Sequence, residues 1–294
     1  MRKNDYLKDN LLFLKRIEKR LARRRIPSAS AEAETLVRHF GRINRLDLFT
    51  GRQTLKSQAK NLIEKILESR LEGEPLSYLL KEADFFGRPF FVTKDTLIPR
   101  LETELLVEEA VKILQRENRP SPRILDIGTG CGCIAVSLTM ERPDCRMTAL
   151  DISSSALKVA RKNIHRHVLS RKIRLIKSDL FNAFGEKEKG SWDMIVSNPP
   201  YVPREDFPTL SREVLSEPRL ALDGGLKGFQ VINRLLEESP YFLKKGGSLL
   251  VEVGKGQSKF LGRKISRERR FRNLRFIKDY SGIDRILVAE KWTN

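Results

Sequence analysis

Residues 123–132 have the sequence Arg-Ile-Leu-Asp-Ile-Gly-Thr-Gly-Cys-Gly, and this stretch decides the fold class. Its apolar start predicts a buried β-strand, and three glycines at alternate positions predict a tight loop after that strand. A helix pattern follows at 134–140. Further strands are predicted at 147–150, 173–176, 193–197, 248–253 and 285–289, with helices at 154–169 and 230–239. Strands that alternate with helices predict an α/β domain with a mostly parallel sheet covered on both faces.

The polar residues that follow these strands predict one ligand site. Asp151, Asp179 and Asn198 each come after a predicted strand, as the glycine loop does. In parallel sheets the carboxyl ends of the strands share one edge, and ligands bind there. The third glycine of the loop is Gly132, one position too early for a dinucleotide fingerprint, because Cys133 stands where that glycine would be. The spacing therefore favours a site for S-adenosylmethionine.

Two of these carboxylates are candidate contacts to the adenosine part of such a ligand. Asp151 can accept hydrogen bonds from both ribose hydroxyls, and the alternative is a simple helix cap before Ser153. Asp179 can accept from the adenine amino group while Leu180 covers the ring, and the alternative is an ordinary turn residue. The glycine loop upstream favours the adenosine contacts.

Asn198-Pro199-Pro200-Tyr201 is the segment most informative about chemistry. Its prolines have a fixed φ and no N–H donor, so nearby carbonyl oxygens can point into a site. The Asn198 side-chain oxygen and the Pro199 carbonyl can accept both hydrogens of a planar NH2 group, on which Tyr201 can stack. This arrangement would aim the nitrogen at a methyl donor and favour positive charge on it. The segment predicts methylation of an amide or amine nitrogen, and a proline-rich turn without a chemical role is the alternative.

The chain is predicted to have two domains and a linker. Residues 1–82 repeat apolar positions every three or four residues, which predicts a small helical bundle. Aromatic residues flank Gly87-Arg88-Pro89, which predicts a β-hairpin linker over 83–98. The catalytic domain is then expected over 99–294.

The composition restricts the kind of partner. The 294 residues carry a formal net charge of +19, from 57 Lys and Arg against 38 Asp and Glu, which favours nucleic acid or an acidic protein. The densest basic run, Arg263 to Lys278, is better explained as a solvated helix face and strand edge than as a dedicated binding patch.

Several other classes of protein are not expected. No apolar run approaches the about 20 residues of a membrane span, and no secretory signal is evident, so a cytoplasmic protein is expected. Three cysteines are too few for a disulfide framework. We expect no metal site, because Cys131 and Cys133 lie inside the glycine loop and no further ligand follows at zinc spacing.

A second segment narrows the choice of family. Leu97-Ile98-Pro99-Arg100-Leu101-Glu102-Thr103-Glu104 resembles the Leu-Ile-Pro-Arg-Pro-Glu-Thr-Glu signature of the HemK/PrmC family, the peptide chain release factor glutamine methyltransferases. Further segments that are similar to this family are 73–75, 84–87, 250–254 and 279–285. Leu101 departs from the usual Pro, which leaves the placement of Glu102 and Thr103 open.

The resemblance implies a Rossmann-like class I methyltransferase with a seven-stranded sheet, S-adenosylmethionine as cofactor, and methylation of N5 of the glutamine in the Gly-Gly-Gln loop of class I release factors. It implies a helical domain for substrate recognition and a monomer that requires neither nucleic acid nor a membrane. The implied cofactor residues are Gly128, Thr129, Gly130, Cys131, Gly132, Asp151, Asp179, Leu180, Asn198 and Phe85. The implied substrate residues are Asn198, Pro199, Pro200 and Tyr201, with Arg100, Glu102 and Thr103 closing the cleft.

Two other functions stay open on the residues alone. Asn-Pro-Pro-Tyr together with the positive charge also fits a nucleic-acid amino-methyltransferase that acts on adenine N6 or guanine N2. A base-flipping enzyme usually needs an added basic recognition region, whereas the extra domain here is the helical one. A catalytically silent cofactor-binding scaffold is the third hypothesis, and the presence of Asn198 and Tyr201 argues against it.

Overall fold

The structure is a computed structural model that describes residues 3–292 and divides into two units, Met1–Lys81 and Glu82–Asn294. The first unit is helical, as its apolar periodicity predicts. Its helices are α1 (Lys3–Arg23), α2 (Ala29–Gly41), α3 (Arg45–Thr50), α4 (Ser57–Leu71) and α5 (Leu76–Leu80). Ile17, Leu36 and Leu67 are fully buried in one core. Burial of each such side chain stabilises the unit by about 1.5–3 kcal/mol.

Two buried polar side chains join the helices of this unit. Asn10 of α1 donates to the carbonyl of Gln53 at 2.8 Å and accepts from the Leu55 amide at 3.1 Å. The buried Arg70 guanidinium of α4 donates to both carboxylate oxygens of Glu32 in α2, at 2.7 and 3.1 Å. Because an unpaired polar group in a core is costly, these contacts favour one arrangement of the helices.

The second unit begins with the predicted β-hairpin, whose strands are β1 (Glu82–Phe85) and β2 (Arg88–Phe91). The turn residues Phe86 and Gly87 have φ angles of 51° and 70°. Two consecutive positive φ angles are the geometry of a type I′ turn, which joins antiparallel strands tightly. The pairing ends at Phe91, so residues 92–98 of the predicted hairpin segment follow it without forming a strand.

The predicted, mostly parallel sheet is confirmed. It has seven strands in the order β5-β4-β3-β6-β7-β9-β8. They are β3 (Arg123–Ile127), β4 (Arg146–Asp151), β5 (Ile173–Lys177), β6 (Trp192–Ser197), β7 (Leu243–Glu252), β8 (Phe271–Lys278) and β9 (Asp284–Lys291). Of these seven strands, β9 alone runs in the direction opposite to the others. The strand order reverses at β3, so the loops after β3, β4 and β6 lie together at one edge.

Within the described residues, this unit also contains seven α-helices. They are α6 (Leu101–Glu117), α7 (Cys133–Glu141), α8 (Ser154–Arg166), α9 (Arg212–Leu215), α10 (Arg219–Leu222), α11 (Gln230–Phe242) and α12 (Ser258–Glu268). Leu125 and Ile127 of β3 share one core with Leu236 of α11 and Leu261 of α12, while α6, α7 and α8 also contact strands of the sheet. Within residues 3–292, no helix combines the length and the apolar character that crossing a membrane requires.

Helix α6 is longer than the sequence predicts. Its start explains why leucine is tolerated at position 101, where the family signature usually has proline. The apolar pattern predicts a helix only over 105–114, whereas the helix begins at Leu101 and ends at Glu117. Leu101 is therefore the first helical residue, a position where proline is favoured because its amide lacks a helical partner anyway. Leucine there removes no intrahelical hydrogen bond. Glu102 and Glu104 lie in the first turn, where negative charge is favourable.

A buried asparagine ties the hairpin and the glycine loop to α8. The Asn163 side chain is fully buried and accepts a hydrogen bond from the Phe91 amide at 2.7 Å. Its Nδ2 donates to the carbonyls of Phe91 and Cys131, both at 2.8 Å. One side chain thus satisfies three backbone groups from two separate segments.

We expect Asn163→Ala to lower the free energy of unfolding of the second unit by about 2–4 kcal/mol, because each buried group left without a partner costs about 1–3 kcal/mol. Urea unfolding of the full chain measures this loss. Arg161→Ala, at an exposed position of the same helix, is the matched control and should change stability by less than about 0.5 kcal/mol. Equal stability of the two variants would contradict this role of Asn163.

Candidate active site

A cleft with a cavity volume of about 210 Å³ lies at the carboxyl ends of β3, β4, β5 and β6. The loops after these four strands supply most of its walls, as the sequence predicts. The predicted site residues that line it are Gly128, Thr129, Gly130, Cys131, Asp151, Asp179, Leu180, Asn198, Pro199, Pro200 and Thr103. Residues 95–97 contribute further walls, as do Pro218, Leu220 and Ala221.

The glycine loop leaves room for a ligand on one side and packs closely on the other. Gly130 has a φ of +56°, and a Cβ added to it would meet no protein atom within 4 Å. Gly132 has a φ of +84°, and a Cβ there would lie 3.3 Å from the Cβ of Ala160 in α8. The Thr129 amide donates to the carbonyl of Leu150 at 2.8 Å, which fixes the loop to the end of β4. The open side of the loop can therefore hold a ligand against its backbone.

Asp151 is suited to bind a pair of hydroxyl groups. Its carboxylate accepts from the Gly130 amide at 2.9 Å and from the Ser153 amide at 2.8 Å, one on each oxygen. Burial raises the pKa of Asp151 above its usual range. Because each carboxylate oxygen has two lone pairs, both can accept one more donor from the cleft. The side chain thus both anchors the glycine loop and has acceptor sites left for ribose hydroxyls, which fits the predicted cofactor.

Asp179 lines the same cleft and takes part in an ion pair. Both of its carboxylate oxygens accept from Nη1 of Arg234 in α11, at 3.0 and 3.1 Å. The next residue, Leu180, has a φ of 45° and is buried against the sheet core. The carboxylate is therefore held at the cleft by α11, and the backbone turns sharply after it.

The Asn198–Tyr201 segment presents its first residues to the cleft and its tyrosine to the protein interior. Nδ2 of Asn198 donates to the Thr103 hydroxyl at 3.0 Å. The Tyr201 hydroxyl donates to the Glu252 carboxylate at 3.1 Å, and Tyr201 does not line the cleft. Burial, with Glu252 nearby, raises the pKa of the Tyr201 hydroxyl far above its usual range, so it stays a hydrogen-bond donor. Stacking of Tyr201 on a ligand, as the sequence suggests, is not the contact that this conformation makes.

Four other predicted residues lie outside the cleft wall, and one of them is Gly132 on the closely packed side of the glycine loop. Phe85 is buried and packs against Phe90 of the hairpin, with ring centroids 6.1 Å apart. Arg100 forms a close ion pair with Glu217, whose other oxygen accepts from the Ile98 amide at 2.9 Å. This pair holds the chain just before the cleft-lining residues Pro218, Leu220 and Ala221. Glu102 is half-buried in the first turn of α6.

Three buried carboxylates next to cleft-lining residues were not predicted as site residues from the sequence. They are Asp126, whose pKa burial raises to about 7, Glu217 and Glu252. Asp126 accepts from the Thr129 hydroxyl at 2.6 Å, and its other oxygen has no partner among the described residues. Glu252 is fully buried at the end of β7 and accepts from the Thr103 hydroxyl at 2.6 Å. A single charged residue inside the apolar run 249–253 was the available signal.

The basic run Arg263 to Lys278 forms α12 and the edge strand β8, which agrees with a solvated helix face and strand edge. Most of its cations have intramolecular ion pairs. These are Lys264 with Glu237, Arg270 with Glu268, Arg272 with Glu290, Arg275 with Glu109, and Lys278 with Asp284. Charged edge strands also resist pairing with other chains. The residues described here include no group of three potential metal ligands, and all three cysteines are free and buried.

We expect Asp151→Asn to weaken binding of S-adenosylmethionine about tenfold or more. The new NH2 group would face a backbone N–H, and one acceptor for the ribose would be lost, a change of about 1.5–3 kcal/mol. Calorimetric titration measures the affinity. Asp206→Asn, at an exposed position outside the cleft wall, is the matched control and should bind as the wild type does. An unchanged affinity in Asp151→Asn would contradict the ribose role.

Comparison with known families agrees with this geometry. A family model described as "Methyltransferase small domain" matches residues 102–283, and one described as "PrmC N-terminal domain" matches residues 13–80. Among solved structures, the catalytic domain of hMettl16 in complex with the MAT2A 3′UTR hairpin 6 superposes with a TM-score of 0.57. It covers 78% of this chain and 82% of that chain at 16% identity, a likeness that shows the fold alone.

Two curated relatives are both named release factor glutamine methyltransferase. The one from Chlorobaculum tepidum is 36% identical over 270 residues, which is 90% of this chain and 91% of the relative. The one from Bordetella pertussis is 40% identical over 217 residues, which is 74% of this chain and 78% of the relative. The resemblance that residues 97–104 carry is thereby confirmed. The chain belongs to the family of release factor glutamine methyltransferases.

Proposed function

We propose that this protein transfers a methyl group from S-adenosylmethionine to N5 of the glutamine in the Gly-Gly-Gln loop of class I release factors. The observation that carries this proposal is the cleft itself. Asn198 and Pro199 stand at its wall, and none of its lining residues in the described chain is lysine or arginine. Such a site suits a neutral, planar amide. The relatives named release factor glutamine methyltransferase support the same substrate.

The residues of the chain act on the substrate by orientation. Oδ1 of Asn198 and the carbonyl oxygen of Pro199 accept the two hydrogens of the glutamine NH2 group. When bound at the glycine loop and Asp151, S-adenosylmethionine would supply an electrophilic methyl group on a positively charged sulfur, and the sulfur would keep the electrons of the broken carbon–sulfur bond. Acceptors that are fixed before the reaction favour the positive charge that develops on nitrogen. They also hold the nitrogen in line for attack. The methylated nitrogen then loses a proton readily, so no strong base is required.

The remaining predicted site residues have proposed roles that agree with their positions. Gly128 to Gly132 hold the methionine part of the cofactor, Asp151 the ribose, and Asp179 with Leu180 the adenine. Arg100 closes the cleft through Glu217, and Glu102 adds negative charge at the start of α6. Phe85 supports the hairpin beside the site rather than the cofactor directly, because it lies in the hairpin core.

We also propose that the helical unit contributes to recognition of the release factor. Its support is the match of residues 13–80 to the PrmC N-terminal domain. The domain boundaries proposed from the sequence, 1–82, 83–98 and 99–294, differ from the two units mainly in the hairpin, which belongs to Glu82–Asn294. We propose that the enzyme is a monomer that acts in the cytoplasm, where free cysteines stay reduced.

A nucleic-acid substrate is less well supported. Phosphate groups need cationic side chains beside the site that holds the base. The described residues that line the cleft include three carboxylates, from Asp95, Asp151 and Asp179, and no cation. A separate groove lined by Arg123, Arg146 and Arg174 lies at the amino ends of the strands, the opposite edge of the sheet.

The substrate is tested with labelled S-adenosylmethionine and either a class I release factor or nucleic acid. We expect one added methyl on the Gly-Gly-Gln peptide by mass spectrometry, and none when its glutamine is replaced by alanine. Asn198→Ala should lower kcat at least about a hundredfold, consistent with loss of a fixed acceptor. Asn182→Ala, with an exposed side chain outside the cleft wall, should keep wild-type activity. Label that enters only nucleic acid would overturn the proposal.

The positive charge is expected to steer an acidic release factor to the enzyme. Raising NaCl from about 0.05 to about 0.5 M shortens the Debye length and should raise the KM for the release factor several-fold. The Kd of S-adenosylmethionine, measured in the same buffers, should change less than this KM, because salt screens charges inside a cleft less than charges on the surface. A KM that is independent of salt would show that the net charge has another purpose.

A further inference from the structure

A buried hydrogen-bond chain connects Glu252 with the substrate-facing side chain of Asn198. The Glu252 carboxylate is fully buried and accepts from the Thr103 hydroxyl at 2.6 Å and from the Tyr201 hydroxyl at 3.1 Å. The Thr103 hydroxyl in turn accepts from Nδ2 of Asn198 at 3.0 Å. Three segments that are far apart in sequence therefore meet: the first turn of α6, the Asn198–Tyr201 segment and the end of β7.

The direction of these hydrogen bonds follows from counting protons. A hydroxyl has one proton, and Thr103 uses it toward Glu252, because an ionised carboxylate can only accept. Thr103 can therefore only accept from Asn198, and the atom of Asn198 that faces it must be the nitrogen. Shape alone does not distinguish the two ends of a carboxamide, whereas this network does. Oδ1 of Asn198 points away from Thr103 and accepts no hydrogen bond within the described residues.

We infer that Glu252 is a positioning residue: in its ionised form it fixes, through Thr103, the carboxamide of Asn198 with the oxygen toward the substrate amide. This inference rests on the proposed function, in which that oxygen accepts a hydrogen of the glutamine NH2 group. Glu252 touches neither substrate nor cofactor in this arrangement. The same carboxylate holds the Tyr201 hydroxyl and so fixes the last residue of the segment as well.

Protonation of Glu252 allows the hydrogen bonds from Glu252 through Thr103 to Asn198 to reverse their direction. A protonated carboxyl can donate to Thr103, which can then donate to the oxygen of Asn198 and turn its NH2 group toward the cleft. Two NH2 groups would then face each other across the reacting site. Burial is the largest influence on Glu252 and raises its pKa to about 6. The hydrogen bonds from Thr103 on α6 and from Tyr201, and the charge of Arg285 at the start of β9, lower this pKa, whereas Glu102 on α6 raises it. Activity should therefore fall as the pH drops through about 6.

The ionised form is costly for stability, which separates a positioning role from a structural one. Because the pKa of Glu252 in the folded state lies above its ordinary value of 4.5, the folded state binds the proton more tightly between pH 4.5 and about 6. Stability therefore decreases as the pH rises through this window. A carboxylate kept only for stability would show the opposite trend.

Matched threonine variants test the chain of contacts. Thr103→Val keeps the shape but removes the hydroxyl, and we expect kcat on the release factor to fall at least about tenfold while the cofactor Kd stays within about twofold. Thr103→Ser restores the hydroxyl and should recover most of the lost kcat. Thr139→Val removes an equally buried hydroxyl, which bonds to the Ala135 carbonyl of its own helix at 2.7 Å, and should behave as the wild type.

Glu252→Gln provides the test of charge. We expect a reduced kcat that no longer falls as the pH drops through about 6. The midpoint of unfolding at pH 8 should be equal to or above that of the wild type, because the buried charge is gone. A structural role predicts a lower midpoint and an unchanged pH profile instead. The inference would be overturned by a wild-type kcat in Thr103→Val, or by a kcat of Glu252→Gln that still falls as the pH drops through about 6.

A readout without substrate keeps this inference separate from the proposed function. The side-chain NH2 signals of Asn198 in a 15N spectrum, assigned by their loss in Asn198→Ala, should shift with a midpoint near pH 6 in the wild type. They should not titrate in Glu252→Gln or Thr103→Val. If the wild type titrates so but fails to methylate release factors, the function is wrong and the positioning chain stands. If the signals do not titrate in the wild type, the positioning chain is wrong whatever the substrate.

Discussion

The need of a buried carboxylate for hydrogen-bond donors is the constraint on which the active site depends. Glu252 has no contact with water, and a charge in such a place is unfavourable unless its oxygens are satisfied. Its donors come from α6 and from the segment after β6, so the charge is stable only when both segments are in place. The hydrogen bonds that satisfy Glu252 in the folded state therefore also set the orientation of Asn198.

The same logic organises the cofactor side of the cleft. Asp151 is buried at the end of β4 and is satisfied by two backbone amides, one of which belongs to the glycine loop. Asn163 of α8 joins that loop to the hairpin through hydrogen bonds to the backbone of Cys131 and Phe91. The parallel sheet brings the strand ends together, and a few buried polar side chains then fix the loops that the sheet leaves free. Most cations of the basic run 263–278 are instead paired with carboxylates that do not line the cleft.

The sequence was sufficient for the fold and for the residues at the strand ends, because both depend on local patterns. Alternating strands and helices, the glycine spacing and the polar residues after each strand predict the sheet and the cleft. The start of α6 was missed because Glu102, Thr103 and Glu104 interrupt the apolar period. The role of Glu252 was missed because its partner Thr103 is 149 positions away in the chain. The charge inside an apolar run marks Glu252 itself, but one sequence does not indicate which distant residue contacts it.

In the proposed arrangement, Asn198 presents its oxygen to a glutamine amide while Glu252 holds the other end of the carboxamide through Thr103. A crystal structure with S-adenosylhomocysteine and a class I release factor measures this most directly. We expect the glutamine NH2 nitrogen about 3 Å from both Oδ1 of Asn198 and the Pro199 carbonyl oxygen, with Nδ2 of Asn198 still hydrogen-bonded to Thr103. A glutamine side chain bound elsewhere, or an Asn198 carboxamide that has released Thr103, would contradict it.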